Sequence, residues 1–72
     1  MEFRKYISIN SRKRFGKPCV KGTRISVYDV LNWLSSGKTM EDIIYDFPEL
    51  NKTKIRACLA YAASKENNSR VA

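Results

Sequence analysis

The sequence predicts a mainly α fold: a three-helix helix-turn-helix domain with short N-terminal β-strands. Apolar residues recur three times at the i, i+3, i+4, i+7 spacing of one helix face. Each repeat follows a Ser, Thr or Asn suited to a helix N-cap. A short turn containing Pro48 joins the second and third helices, which favours the large crossing angle of a helix-turn-helix. We place the domain at residues 1–64 and expect residues 65–72 to form a polar, flexible tail.

The N-terminal part has the composition of strands and turns. β-Branched and aromatic residues alternate with polar ones over residues 3–10 and predict a short strand. The basic segment 10–14 follows as an exposed loop, which either touches phosphates or is simply solvated. Two short extended pieces, residues 19–20 and 24–25, are expected to form a hairpin or to pair with the first strand. Pro18 confines any strand here to a short or edge position.

The first helix begins at Ser26, with Asp29 three residues later in capping-box spacing. Its apolar stripe comprises Val27, Val30, Leu31 and Leu34. Trp33 lies off that stripe, and we expect it to pack under the N-terminal segment; a contact between subunits is the alternative. Gly37 suits the C′ position that ends a helix.

Two further helices follow the same pattern. Thr39 begins the second, and Pro48 ends it because proline disfavours helical backbone at the residue before it. The stripe of the second helix comprises Met40, Ile43, Ile44 and Phe47. Leu50 is expected to fill the core between the helices, and Asn51 to cap the third. The stripe of the third helix comprises Ile55, Cys58, Leu59 and Ala62.

The net charge of +7 is unevenly distributed along the chain. Residues 1–24 contain eight Lys or Arg and one Glu, residues 25–50 one Lys and five acidic residues, and residues 51–72 five Lys or Arg and one Glu. Basic surfaces attract polyanions through counterion release, although lysines also keep small proteins soluble. The chain is therefore basic at both ends and acidic in its middle, and composition alone leaves both explanations open.

In a helix-turn-helix, the start of the second motif helix reads the major groove, and this position falls on the third helix here. Lys and Arg reach guanine or phosphate, whereas Asn and Thr bond base edges or phosphate oxygens. We predict a DNA-binding set comprising Asn51, Lys52, Thr53, Lys54 and Arg56. With Ile55 and Leu59 facing inward, Lys52, Thr53 and Arg56 should share the outward surface. The alternative is an ordinary solvated face.

The sequence contains no catalytic constellation. It has no His and only two cysteines, Cys19 and Cys58, whereas a structural zinc site takes four Cys or His ligands. We expect reduced, buried thiols, with a disulfide as the alternative. Asp42 and Asp46 share a helix face, but such surface pairs are usually solvated, so we predict no metal. Without an acid–base set we also predict no cofactor and no enzymatic activity. The N-terminus lacks the apolar run of a signal peptide or membrane span.

Two motifs in residues 16–50 form one combined pattern. The first reads G-x-P-x-[IV]-x-G-T-R-[IV]-x-V and is formed by Gly16, Pro18, Val20, Gly22, Thr23, Arg24, Ile25 and Val27. A Gly-ended helix and an acidic helix closing with F-P-x-L follow, with Gly37, Ile43, Phe47, Pro48 and Leu50. This combined pattern resembles that of the domain-of-unknown-function 433 family, and the likeness continues at Ile55, Leu59, Tyr61 and Ala62.

The resemblance implies a homeodomain-like or winged helix-turn-helix in a prokaryotic, cytoplasmic protein. It further implies an antitoxin, encoded beside a PIN-like ribonuclease toxin, that neutralises this toxin and binds its own promoter as a homodimer. Such proteins often carry acidic residues after F-P-x-L, where this chain has Asn51-Lys52-Thr53-Lys54, and this difference favours DNA contact. Lys21 and Arg24 complete the predicted DNA-binding set. We expect Arg24 to pair with a helix carboxylate, Asp29 or Asp46, and contact of Arg24 with the DNA backbone is the alternative.

We therefore predict a DNA-binding regulator of the antitoxin type with DNA, a toxin protein and a second copy of itself as partners, and no membrane association. The alternative is a protein-interaction module without DNA binding, which docks a basic partner through its acidic second helix. Specific binding to the DNA upstream of its own gene distinguishes the two.

Overall fold

A computed structural model of the chain describes residues 1–9 and 16–69, with side chains as far as Lys65. Three helices follow a short two-stranded sheet near the N-terminus. The predicted fold class is confirmed, because the domain is mainly helical and consistent with a small helix-turn-helix arrangement. The basic loop predicted at residues 10–14 lies outside the described residues.

The sheet pairs β1, Ile7–Ile9, with β2, Pro18–Val20, in antiparallel register. Ile7 lies opposite Val20, and Pro18 lies at the end of the ladder, where its missing N–H interrupts no pairing. Cys19 forms a further bridge with Ser26, next to a hydrogen bond of 2.9 Å from the Val20 N–H to the Ile25 carbonyl. Both predicted pairings of this segment are therefore present.

The predicted first strand is too long at its N-terminal end. Phe3–Lys5 forms a 3-10 helix instead, in which the Glu2 carboxylate accepts a hydrogen bond of 3.1 Å from the Arg4 N–H. The Phe3 ring meets the Tyr61 ring edge-on, with centroids 5.5 Å apart. The Phe3–Tyr61 contact is long-range, so no local sequence pattern encodes it, and it occurs together with the 3-10 conformation of Phe3–Lys5.

The first helix, α1, spans Val27–Ser35 and has both predicted ends. The Asp29 N–H donates to the Ser26 hydroxyl at 2.9 Å, and the Ser26 N–H donates to the Asp29 carboxylate at 3.0 Å. At the other end Gly37 has a φ of 104°, which favours glycine. The Lys38 N–H reaches back to the Trp33 carbonyl at 3.1 Å, completing a Schellman motif.

The remaining helices are α2, Met40–Asp46, and α3, Lys52–Ser69. Thr39 and Asp42 form a second capping box, with both hydrogen bonds at 3.0 Å. The Asn51 amide oxygen caps α3 by accepting from the Lys54 N–H at 2.8 Å, as predicted. The third helix continues past residue 64 to Ser69. The domain boundary at residue 64 and the flexible tail stay predictions.

The core lies where the sheet and all three helices meet. Its buried side chains are Ile7, Val20, Ile25, Val27, Val30, Ile43, Leu50, Ile55, Ala57 and Cys58. Leu50 is 3 % exposed and fills the core as predicted. Cys19 and Cys58 are both buried, as predicted, and are not bonded to each other. Their reduced state stays a prediction.

Two predicted packing positions were wrong. Leu59 is 40 % exposed, and Ala57 is buried instead, because α3 is rotated so that its Ile55, Cys58 and Tyr61 face meets the rest of the domain. Trp33 does not pack under the N-terminal segment. Its indole stacks on the Phe47 ring with centroids 4.6 Å apart and planes 10° apart, because the short α2 places Phe47 opposite the end of α1.

Candidate nucleic-acid interface

The N-terminal edge of α3 presents three side chains suited to nucleic acid. Lys52, Thr53 and Arg56 are all exposed, as predicted. Lys52 and Arg56 are one helical turn apart and therefore lie on the same side of α3. The first turn of a helix also directs backbone N–H groups and a partial positive charge outward, which suits phosphate. This edge combines cationic, hydroxyl and amide donors on a single surface.

Asn51 and Lys54, also in the predicted DNA-binding set, make structural bonds. The Asn51 amide oxygen caps the helix. The Lys54 ammonium donates to the Glu49 carbonyl at 2.8 Å, and its side chain is half-buried. These two residues stabilise the turn and the start of α3, whereas Lys52, Thr53 and Arg56 face solvent.

Lys52 has an acidic neighbour on the preceding helix. Its ammonium lies 3.3 Å from the Glu41 carboxylate, and both side chains are more than half exposed. Hydrogen bonding to its own backbone, followed by the hydrogen bond and charge of Lys52, lowers the pKa of Glu41. Glu41 is therefore ionised at neutral pH. Because an exposed ion pair contributes little to stability, a phosphate group can compete for Lys52 at small cost.

Lys21 and Arg24 lie on another element, the turn between β2 and α1, where both are exposed. The predicted turn at Gly22 is confirmed by its φ of 80°. The Thr23 hydroxyl donates to the Val20 carbonyl at 2.9 Å and accepts from the Ile25 N–H at 3.0 Å. Gly22 and Thr23 therefore shape the turn that carries the two cations.

The predicted pairing of Arg24 with Asp46 competes with an observed partner, because the Lys38 ammonium binds Asp46 at 3.1 Å. Pairing of Arg24 with Asp29 stays a prediction. The predicted DNA-binding residues therefore form two groups, one at the start of α3 and one at the turn after β2.

The carboxylates of α2 are mostly engaged in local bonds. Hydrogen bonds from the Thr39 backbone and side chain lower the pKa of Asp42, and Asp46 binds Lys38. Within the described residues, no three His, Cys, Asp or Glu side chains converge on a common point. Tyr45 stands out on this helix, since it is 87 % exposed.

An apolar groove between α1 and α3 was missing from the sequence predictions. It encloses about 330 Å³. Its lining comprises Pro18, Val27, Tyr28, Leu31, Tyr61, Ala62 and Lys65. The Lys17 and Lys65 ammonium groups lie 5.8 and 5.4 Å from the ring centroids of Tyr28 and Tyr61. Both tyrosines fall outside the predicted apolar stripes, and only the packing of α1 against α3 brings them together.

Together these features define a small, mainly helical domain, consistent with a helix-turn-helix-like fold, with an exposed basic edge. The family model described as "Protein of unknown function (DUF433)" matches residues 7–62. The chain belongs to this family.

Two proteins illustrate what this chain is similar to. The "Uncharacterized protein y4eO" of Sinorhizobium fredii is 40% identical over 47 residues, which are 65% of this chain and 21% of that protein. The crystal structure of a DUF433 member from Anabaena variabilis superposes with a TM-score of 0.80 at 19% identity, covering 86% of this chain and 61% of that one. The structural likeness confirms the fold. The chain spans about a fifth of the first relative and three fifths of the second.

Among the described residues, no helix combines the length and the apolar character needed to cross a lipid bilayer.

Proposed function

We propose that this protein is a DNA-binding regulator of the antitoxin type, acting in the cytoplasm without catalytic activity of its own. The carrying observation is the cluster of exposed Lys52, Thr53 and Arg56 at the capped start of α3. A helix in this position after a short turn is the one that enters the major groove in helix-turn-helix proteins. Lys21 and Arg24 supply a second cationic group for the DNA backbone.

The acidic helix α2 determines how the domain approaches DNA. Its carboxylates would repel phosphates if the helix lay along the backbone. The proposed orientation therefore inserts the start of α3 and directs the C-terminal end of α2, which carries Tyr45, away from the duplex. Glu41, at the other end of α2, lies next to the reading edge, because its carboxylate holds Lys52 at 3.3 Å.

The proposal is tested with DNA from upstream of the protein's own gene, by fluorescence anisotropy. We expect Lys52→Ala and Arg56→Ala each to weaken binding about 5–100-fold, as expected when a phosphate or base contact is removed. Lys38→Ala is the matched control, since it removes one lysine charge from the α1–α2 turn. Equal affinities for the parent, Lys52→Ala and Arg56→Ala proteins would show that α3 does not read DNA.

A second candidate function is a protein-interaction module that docks a basic partner through α2. The 87 % exposure of Tyr45 on an acidic helix favours it, because an unpartnered aromatic is a common interface anchor. It predicts no specific DNA binding, and a stable complex with the protein of the neighbouring gene. Reversing the charges of Glu41, Asp42 and Asp46 should abolish that complex. A complex that survives this change excludes docking through α2.

Neutralisation of a PIN-like ribonuclease toxin belongs to the same proposal. A toxin-binding antitoxin should suppress ribonuclease activity of the neighbouring protein at equimolar amounts. Undiminished activity in the presence of excess protein would restrict the function to DNA binding.

A further inference from the structure

The α1–α3 groove and the outer face of α2 have complementary chemistry. The groove is apolar, and two ammonium groups, those of Lys17 and Lys65, lie at its tyrosine rings. Tyr28 in its wall is 61 % exposed. A complementary occupant therefore combines an apolar or aromatic side chain with nearby carboxylates.

The outer face of α2 offers this combination. Tyr45 is 87 % exposed, the highest value among the exposed large apolar side chains of the described residues. Glu41 and Asp42 precede it by four and three residues and therefore flank it on one helix face. Both carboxyl groups have a lowered pKa and are ionised at neutral pH. The Tyr45 side chain, with two negative charges one helical turn before it, thus lies on the same chain as a groove with two cations.

We propose that two copies of this chain associate by inserting Tyr45 of each into the α1–α3 groove of the other. The two surfaces lie at different levels of the domain. Glu41 of α2 contacts α3 at Lys52, whereas the groove borders α3 at Tyr61, about 14 Å further along the helix axis. In the proposed closed two-fold dimer, two antiparallel copies make both contacts at once.

This dimer deepens the proposed function, and its link to DNA rests on that function. The contact covers the tyrosine-bearing acidic face of α2 with the partner's cations. It leaves Thr53 and Arg56 uncovered, because these residues lie on α3 outside both contact surfaces. Pairing the α2 carboxylates across the dimer would also reduce their repulsion of DNA.

The test is sedimentation equilibrium of the full chain without DNA, over a concentration series at low and high salt. We expect a reversible monomer–dimer equilibrium that weakens at high salt because the charge pairs are screened. Tyr45→Ser should raise the dissociation constant at least tenfold, as for a central aromatic anchor. Leu59→Ser, which removes an exposed apolar side chain that does not line the groove, is the matched control and should leave the constant unchanged. A monomer at all concentrations, or a dimer unaffected by Tyr45→Ser, would overturn the proposal.

Complementation tests the reciprocal geometry directly. Tyr28→Glu places a negative charge in the groove and, like Tyr45→Ser, should give a monomer alone. A mixture of the two variants retains one intact contact, the α2 of the Tyr28→Glu chain in the groove of the Tyr45→Ser chain. We therefore expect dimers in the mixture at concentrations where each variant alone is monomeric. Circular dichroism checks that both variants are folded, and folded variants that fail to dimerise when mixed would contradict the reciprocal arrangement.

Failure of the dimer and failure of DNA binding are separable. A salt-sensitive, Tyr45-dependent dimer that binds no upstream DNA would refute the proposed function and support the dimer. Specific DNA binding by a chain that stays monomeric would support the proposed function and refute the dimer. If the chain is monomeric but binds the neighbouring gene's protein through Tyr45, the partner of the Tyr45 surface is that protein and not a second copy of this chain, which overturns the dimer.

Discussion

At the scale of single residues, Ser26 connects the sheet to α1. It is fully buried, bridges to Cys19 in β2 and exchanges two hydrogen bonds with Asp29. Replacing it with alanine leaves the Asp29 N–H without its cap. We expect Ser26→Ala to lower the free energy of unfolding by about 1–2 kcal/mol, measured by urea denaturation. Exposed Ser35→Ala should change it by less than about 0.5 kcal/mol, and equal losses from both variants would argue against a special role of the cap.

The Cys58 thiol makes the stability of the folded chain depend on pH in the alkaline range. Burial raises the pKa of its thiol from 9.0 to about 11. Between these values the unfolded chain releases the proton and the folded chain retains it, so stability is complete below pH 9 and falls as the pH rises towards 11. The loss attributable to this thiol should approach about 2–3 kcal/mol.

Comparison with Cys58→Ala isolates this effect from other alkaline titrations. Urea denaturation across this pH range should show a smaller decline for the variant than for the parent. Parallel declines would mean that Cys58 does not titrate differently in the folded and unfolded chains.

The residues that sequence could predict are those whose partners are close along the chain. Ser26, Thr39 and Asn51 each bond an N–H three residues away, so a short pattern identifies them. Trp33 and Leu59 were misplaced because their surroundings depend on how α3 and Phe47 pack. Packing of this kind is set by the whole core rather than by helix periodicity.

At the scale of elements, the acidic α2 lies against the basic start of α3, and Glu41 joins them through Lys52. If α3 binds DNA, Glu41 restrains a DNA-binding lysine and adds a repelling charge. Glu41→Gln should therefore tighten binding to upstream DNA about 3–10-fold, an effect of the size expected for one charge near the interface. Fluorescence anisotropy measures this gain.

The matched control for Glu41 is Glu2→Gln. Glu2 carries the same charge and pairs with Arg4 at 3.5 Å on the N-terminal 3-10 helix. We expect this variant to change DNA affinity less than Glu41→Gln. Unchanged or weaker binding by Glu41→Gln would indicate that Lys52 does not approach the phosphates.

Both ends of α1 and α2 and the start of α3 could be predicted, since caps, apolar spacing, Gly37 and Pro48 agree on these limits. The end of α3 at Ser69 could not, because no cap or breaker marks it. The strands were harder, because residues 3–9 contain both a 3-10 helix and β1 under one alternating pattern. The basic edge of the candidate site was also predictable, because Lys52, Thr53 and Arg56 lie close together along the chain. The α1–α3 groove was not, because its walls come from β2, α1 and α3.

At the scale of the whole molecule, a chain of 72 residues has a small stability reserve. Typical values of 0.05–0.15 kcal/mol per residue correspond to about 4–11 kcal/mol. A dimer stabilises the folded chain by mass action, so the proposed reciprocal contact would support the fold as well as position two α3 helices. The uneven charge distribution, basic at both ends of the chain and acidic between, would favour both dimerisation and DNA binding.

The central claim, that the start of α3 binds DNA, is tested most directly by the salt dependence of binding to the protein's upstream DNA. The logarithm of the binding constant should fall linearly with the logarithm of salt concentration. The slope is negative, and each variant, Lys52→Ala or Arg56→Ala, has one phosphate contact fewer than the parent. The magnitude of the slope should therefore be smaller by about 1 in each variant than in the parent. Identical slopes for the parent and both variants, or no specific binding by the parent, would contradict this claim.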